Sequence, residues 1–262
     1  MRALSTAATG MAAQQLNVEV ISNNIANMNT VGFKRQRAEF QDLLYQDLER
    51  AGAQSSSNGN TVPTGIQVGA GVKTGSVYRI MDEGSLTQTG NQLDLAVNGR
   101  GYFQVQMPDG STSYTRAGNL SLNQDGQLVT SEGYLVQPQI TIPQNSTAIT
   151  VSPTGQVQVT TPGQTTPQVV GQLTLANFMN EAGLEAMGDN LYQVSGSSGP
   201  AVTGNPGDPG FGGLMQGYTE ASNVDAVTEI TALITAQRAY EMNSKVVTSA
   251  DQMLTTTSQL KQ

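Results

Sequence analysis

At 262 residues, 37% of them hydrophobic, the chain is long and apolar enough to build one or two compact cores and is no disordered tail. A formal charge of -8, drawn from only 12% charged residues, argues against a nucleic-acid partner, because gripping a phosphate backbone needs clustered Lys and Arg to displace condensed counterions. Cys and His are both absent, which removes disulfides, thiolate metal sites and the commonest general base, so no catalytic site, cofactor or metal is expected.

The first element is a helix expected over residues 3–28. Leu4, Met11, Val18 and Ile25 recur every seven residues, with Ala7, Ile21 and Met28 at the companion positions and Gln14 as the polar interruption. This is the a/d pattern of a coiled-coil seam. Leu16 and Val20 lie off the seam and make a second face partly apolar, so more than one neighbour is expected. Thr6, Thr9, Gly10, Gln14 and Gln15 make the amino end too polar for a leader peptide, and no run of ~18 apolar residues could form a membrane span. Asn29, Thr30 and Gly32 end the helix, Gly32 being suited to a left-handed position.

Lys34, Arg35 and Arg37 follow as the one basic cluster, either a solvated face or the source of salt bridges to the acidic body of a neighbouring subunit. A short amphipathic stretch with Phe40, Leu43, Leu44 and Leu48 leads to a polar loop tip at 55–60. Beyond it Ile66, Val68, Val72, Val77, Tyr78 and Ile80 lie among glycines and predict an extended arm.

Residues 82–217 read as all-β. Leu93, Leu95 and Val97 alternate, as do Tyr102 with Gln104 and Phe103 with Val105, while Asp109-Gly110, Asp125-Gly126 and Glu132-Gly133 supply turns. Ile140-Thr141-Ile142 and Val157-Gln158-Val159 are expected as short strands. Ser121, Asn123, Asp125, Gly126 and Glu132 match EF-hand loop spacing, but the flanks alternate as strands, so a hairpin is the stronger reading. A final helix is expected from Asn223, with Ser222 and Asp225 as a capping-box pattern, to Leu260. It carries three heptad tracks: Ala232, Ala239, Val246, Met253 and Leu260; Leu233, Tyr240, Val247 and Leu254; Val227 and Ile234.

The pattern predicts an α+β multidomain protein. Its terminal helices pair as a coiled-coil stalk (1–30 and 218–262), an extended connecting arm follows the first helix (31–81), and a β-rich domain fills the middle (82–217). Seams at both ends need partners, so the expected subunit interface comprises Leu4, Met11, Val18, Ile21, Ile25, Met28, Lys34, Arg35, Arg37, Val227, Ile230, Leu233, Ile234, Tyr240, Val246, Val247, Met253, Leu254 and Leu260. A secreted polysaccharide-binding protein or enzyme, using acids such as Asp94 or Asp109, is the reading from a different class. It leaves the heptads unexplained.

Four motifs carry a family resemblance: Ala26-Asn27-Met28-Asn29-Thr30-Val31-Gly32-Phe33-Lys34-Arg35; Leu93-Asp94-Leu95-Ala96-Val97-Asn98-Gly99-Arg100-Gly101-Tyr102-Phe103; Tyr114-Thr115-Arg116-Ala117-Gly118; and Ser222-Asn223-Val224-Asp225 followed by Gln237-Arg238-Ala239-Tyr240-Glu241-Met242-Asn243. Together they resemble the bacterial flagellar rod and hook proteins. The resemblance implies a structural, non-enzymatic axial subunit of the basal body, exported unfolded through the flagellar type III apparatus without signal cleavage and resident in the rod that crosses the periplasm. It implies polymerisation with copies of itself into a hollow shaft, terminal helices lining the tube and the β domain outside. The partners it implies are proximal-rod and hook proteins at the ends and the bushing rings around the shaft. The stretch from Gln46 to Gly75 resembles the one that sets the distal-rod branch apart from the hook, with the proximal rod and hook as the nearest alternatives.

Overall fold

The computed structural model describes residues 2–50, 64–164 and 166–259; the loop tip expected at 55–60 and Leu260 lie outside them. In chain order a helix at each end flanks a β-rich middle, an α+β composition. The described residues fall into two compact units, one from Met1–Ile25, Gln36–Tyr78 and Ala226–Gln262, the other from Ala26–Arg35 and Arg79–Asp225.

In the first unit, helix α1 spans Arg2–Ala26, ~37 Å at 1.5 Å per residue. The stretch after Lys34 forms strands β1 (Gln36–Asp42) and β2 (Tyr45–Glu49), followed by β3 (Ile66–Gly69) and β4 (Val72–Arg79). Strand β1 pairs with β4, and β2 runs antiparallel to β3 with Tyr45 opposite Gly69. Along β1 the side chains alternate as a strand requires, Ala38 and Phe40 half-buried, Arg37, Glu39 and Gln41 exposed. This arm is hydrogen-bonded to α1 of the same chain. The Asn24 amide bonds both the N–H and the carbonyl of Gln36, each at 2.8 Å, and the Thr9 hydroxyl accepts from Val72 N–H.

Helix α2 spans Ala226–Gln259 and begins three residues later than the expected Asn223. The Ser222 hydroxyl closes a turn on Val224 N–H, and the Asn223 amide is engaged by backbone groups, so neither residue opens the helix. The two helices meet where Asn24 donates to Glu229 (3.1 Å) and where Gly10 lies so close to Asn243 that a Cβ would stand 2.9 Å from its amide nitrogen. These two contacts run in opposite senses along the helices, which are therefore antiparallel.

The second unit holds the main core. Its strands are β5 (Leu86–Gln88), β6 (Leu95–Asn98), β7 (Tyr102–Gln106), β8 (Thr112–Thr115), β9 (Ser121–Leu122), β10 (Leu128–Val129), β11 (Leu135–Gln137), β12 (Ala148–Val151), β13 (Gln156–Thr160), β14 (Gln168–Gln172), β15 (Leu175–Asn177), β16 (Glu185–Gly188), β17 (Leu191–Gln193), β18 (Val202–Gly204), β19 (Gly213–Gln216) and β20 (Tyr218–Glu220). A nine-stranded sheet runs β16-β17-β8-β7-β11-β10-β9, with β15 joining β7 to β18; a three-stranded sheet runs β12-β13-β14; β19 pairs with β6 and β20 with β5. The three Asp-Gly and Glu-Gly turns each place their glycine at positive φ. At Asp125-Gly126 the Asn123 side chain accepts from the N–H groups of Asp125 and Gln127, so the EF-hand spacing is used to build a hairpin.

Both faces of β7 are buried. Phe103 and Val105 join Leu95, Val97, Leu175 and Val157 in the larger cluster, while Tyr102 joins Tyr114, Phe178 and Tyr192 in a second one, its ring edge-on to Phe178 and Tyr192. Ile140 and Ile142 are buried as expected of core positions, but their segment makes only an isolated bridge, Gln127 to Thr141, rather than a strand. Asp94 is buried: its carboxylate accepts from Thr89 and Asn91 and shapes the turn before β6. Gly118 is required by close approach. A Cβ there would collide with the Leu95 carbonyl oxygen, and Leu95 N–H already bonds the Gly118 carbonyl at 2.9 Å. Gly118→Ala is expected to destabilise this unit by about 3 kcal/mol, since neither backbone can yield without losing the other's bond; an unchanged urea midpoint would show that the loop yields.

Candidate assembly surface and its buried charge anchor

The intramolecular helix pair uses small and polar residues. On α2 the positions turned inward are Glu229, Ala236 and Ala250, with Asn243 half-buried, one per heptad. Alanine and glycine let helices approach closely, and the apolar tracks are left facing out. Val227 and Met253 are 73% and 65% exposed, and Ile230, Ile234, Tyr240, Val246 and Leu254 are exposed as well, while Leu233 and Val247 are half-buried. On α1 the residues Leu4, Met11, Val18 and Ile25 are half-buried, Met28 is exposed, and Ile21 is buried within its own chain. An exposed apolar stripe thus runs along a helix of 34 residues. Each side chain that a neighbour buries in full would contribute ~1.5–3 kcal/mol.

The basic cluster divides. Arg37 is exposed on β1. Arg35 is half-buried, and its backbone N–H donates to the Asn223 side chain at 2.7 Å. Lys34 corrects the expectation of a salt bridge to another subunit: it is 1% exposed, and its ammonium donates to Glu220 of its own chain at 2.6 Å and to the Asp82 carbonyl at 2.7 Å. On its other oxygen Glu220 accepts from Arg116 Nε at 2.6 Å, and Gly84 N–H donates to the first oxygen at 3.0 Å. The remaining guanidinium nitrogens of Arg116 donate to the carbonyls of Gly99, Gly101 and Val97, and its Cζ lies 5.7 Å from the Tyr102 ring centroid.

One carboxylate thus serves two buried cations, and the titration behaviour follows. Burial opposes ionisation of Glu220, but Arg116 and then Lys34 outweigh it and hold the carboxyl below its usual value. For Lys34 burial is the largest influence and lowers the ammonium, with Arg116 repelling it and Glu220 only partly compensating. Next to this group, burial and the charge of Glu181 push the Tyr102 phenol far up; its hydroxyl donates to Glu181 at 2.9 Å, and Arg100 bonds the other Glu181 oxygen at 2.8 Å.

Backbone contacts complete the anchor. Gly32, at φ +70°, donates its N–H to the Glu220 carbonyl, and a Cβ there would stand 2.9 Å from Ala117 N. Ile80 N–H bonds the Arg35 carbonyl, the Asn223 amide donates to the carbonyls of Ile80 and Asp82, and Asn190 donates to the Val31 carbonyl. Residues 26–35 and the chain leading to α2 are thereby tied into the β-rich unit. Arg116 and Asn223 lie in motifs noted in the sequence, but nothing local marks Glu220, whose partners are 104 and 186 residues away.

Three segments of the chain match known families. Residues 4–34 match the family described as flagella basal body rod protein, residues 96–159 the flagellar hook protein FlgE/F/G D1 domain, and residues 215–260 the flagellar basal body rod FlgEFG protein C-terminal region. Lys34, Arg116 and Glu220 come one from each segment. Along its full length the chain is 70% identical to the flagellar basal-body rod protein FlgG of Caulobacter vibrioides, covering all of both chains. It is 55% identical to FlgG of Agrobacterium fabrum and 40% to FlgG of Bacillus subtilis, in each case over 97% of both chains. The chain belongs to this family of flagellar basal-body rod proteins, which are structural components and not enzymes.

Proposed function

We propose that the chain is the subunit of the distal rod, polymerising helically into a rigid hollow shaft that transmits torque from motor to hook and conducts exported subunits. The observation that carries this is the row of exposed apolar residues on α2, a seam left uncovered by the described residues of its own chain. Copies of α1 and α2 pack as a coiled-coil inner tube, and the contacts between copies are heterologous, so they propagate a helix instead of closing a dimer. Proximal-rod and hook proteins adjoin the ends, bushing rings are candidate neighbours around the shaft, and the flagellar export apparatus delivers the chain from the cytoplasm into the rod that crosses the periplasm. The resemblance of residues 46–75 to the rod-type stretch supports a rod over a hook.

Concentrating the purified chain with and without a rod or hook seed, under electron microscopy and circular dichroism, tests this. Straight hollow tubes with a gain in helix signal are expected, because the seam residues order fully only when neighbours cover them. Curved, supercoiled tubes would move the assignment to the hook, and a fully helical monomer that never polymerises would overturn it.

A further inference from the structure

We propose that the apolar cleft between α1 and α2 of one copy receives Arg37 and Val77 of a second copy, an axial or lateral contact that rests on the assembly reading above. The cleft, about 350 Å³, is lined by Gln15, Val18 and Glu19 of α1 and by Gln237, Tyr240 and Glu241 of α2. Its floor is the half-buried Val18 and the Tyr240 ring, and its rim carries two exposed carboxylates. Gln15 donates to one oxygen of Glu19 at 3.3 Å, which steadies that rim. None of the six lining residues is a cation.

Such a cleft fits a side chain with an apolar stem and a planar cationic end. Arginine covers the floor with its methylenes, stacks its guanidinium on tyrosine and presents paired donors to carboxylates. Arg37 projects from the exposed face of β1 and is held on a paired strand. The bonds of Ile80 to Arg35 and of Leu43 to Gly71 put Arg37 across from residues 77–78, beside Val77, which is 43% exposed. A cation and an apolar side chain thus stand together on the arm, the complement of the acids and apolar floor in the cleft. Lys73 on the same sheet lies across from the polar Gln41 and Asp42, and Arg100 is occupied by Glu181. Within one chain the backbone of Gln36 is held at Asn24, more than one helical turn from Glu19, and strand alternation turns Arg37 to the exposed face of β1, opposite the half-buried Ala38 and Phe40, so the occupant is a second copy.

The test uses the full chain. Glu241→Arg and Arg37→Glu are each expected to raise the concentration needed for tube formation at least about tenfold, since each sets like charges together, and the double variant Glu241→Arg/Arg37→Glu is expected to restore it. Because the chain has no cysteine, Arg37→Cys combined with Glu241→Cys offers a second measurement that does not depend on charge: oxidation of assembled material is expected to give a ladder of linked copies, and Lys73→Cys with Glu241→Cys is not. Assembly of Glu241→Arg at the wild-type concentration, failure of the folded double variant to recover, or a disulfide confined to monomers would each overturn the contact. Absence of tubes from the wild-type chain would instead overturn the assembly reading, and this contact with it.

Discussion

Replacing Glu220 by Ala is expected to destabilise the β-rich unit by about 3–5 kcal/mol, because it leaves Lys34 and Arg116 buried together without the carboxylate that both bind. The chain has no Trp, so near-ultraviolet dichroism of the buried Tyr102, Tyr114 and Tyr192 is the natural probe of urea unfolding. Lys34→Met is expected to cost far less: it removes the burial cost of an ammonium and leaves the Arg116–Glu220 pair intact. Equal losses from the two variants would refute the account in which one carboxylate holds two cations. The pH dependence has a definite sign. The folded value of Glu220 lies below the ordinary 4.5, so its stabilisation is complete above about pH 4.5 and is lost as pH falls through the folded value; Glu220→Gln is expected to flatten that acid limb. The lowered ammonium of Lys34 acts oppositely. It costs stability at neutral pH, and the cost is relieved as pH rises from its folded value towards 10.5, a gain that Lys34→Met is expected to abolish.

Val246→Asp is expected to abolish assembly while leaving the subunit folded. Val246 is 47% exposed in the single chain, so an aspartate there remains solvated and changes stability by no more than about 0.5 kcal/mol. Covered by a neighbouring helix, the same carboxylate would lose its water without gaining a partner, at a cost of several kcal/mol per copy, repeated along the polymer. Sedimentation and electron microscopy would report the loss of tubes, and the tyrosine dichroism signal would report an unaltered β-rich unit. Wild-type tube length from this variant would refute the helical seam. Ile21 is a poorer probe of the same idea, because it is buried in its own chain and its replacement would damage the subunit first.

Periodicity and turn chemistry were readable because they are local. The heptads of α1 and α2, the glycine turns at 110, 126 and 133, and the alternation through β6 and β7 each depend on residues within a few positions of one another. The aromatic cluster behind β7 was not readable, since Tyr102 needs Phe178 and Tyr192 from segments much later in the chain. For the same reason the arm appeared as a loose extended stretch: the partners that turn Gln36–Asp42 into a paired strand lie beyond the 51–63 segment.

For the assembly surface the division is similar. Sequence by itself determined that both ends are helices with apolar stripes and that the chain is a structural, motif-rich member of the rod family, because helical period and short motifs are written in neighbouring residues. Which stripe is used within the chain and which is left outside was decided only by the tertiary structure. The close antiparallel contact selects the Gly10, Asn24, Glu229 and Ala236 positions, where small or mutually bonded side chains fit, and leaves Ile234, Tyr240 and Val246 exposed. Tertiary structure likewise took Lys34 out of the basic surface cluster. A cation's environment depends on the charges brought to it through space, and the carboxylate that meets Lys34 is supplied from 186 residues away.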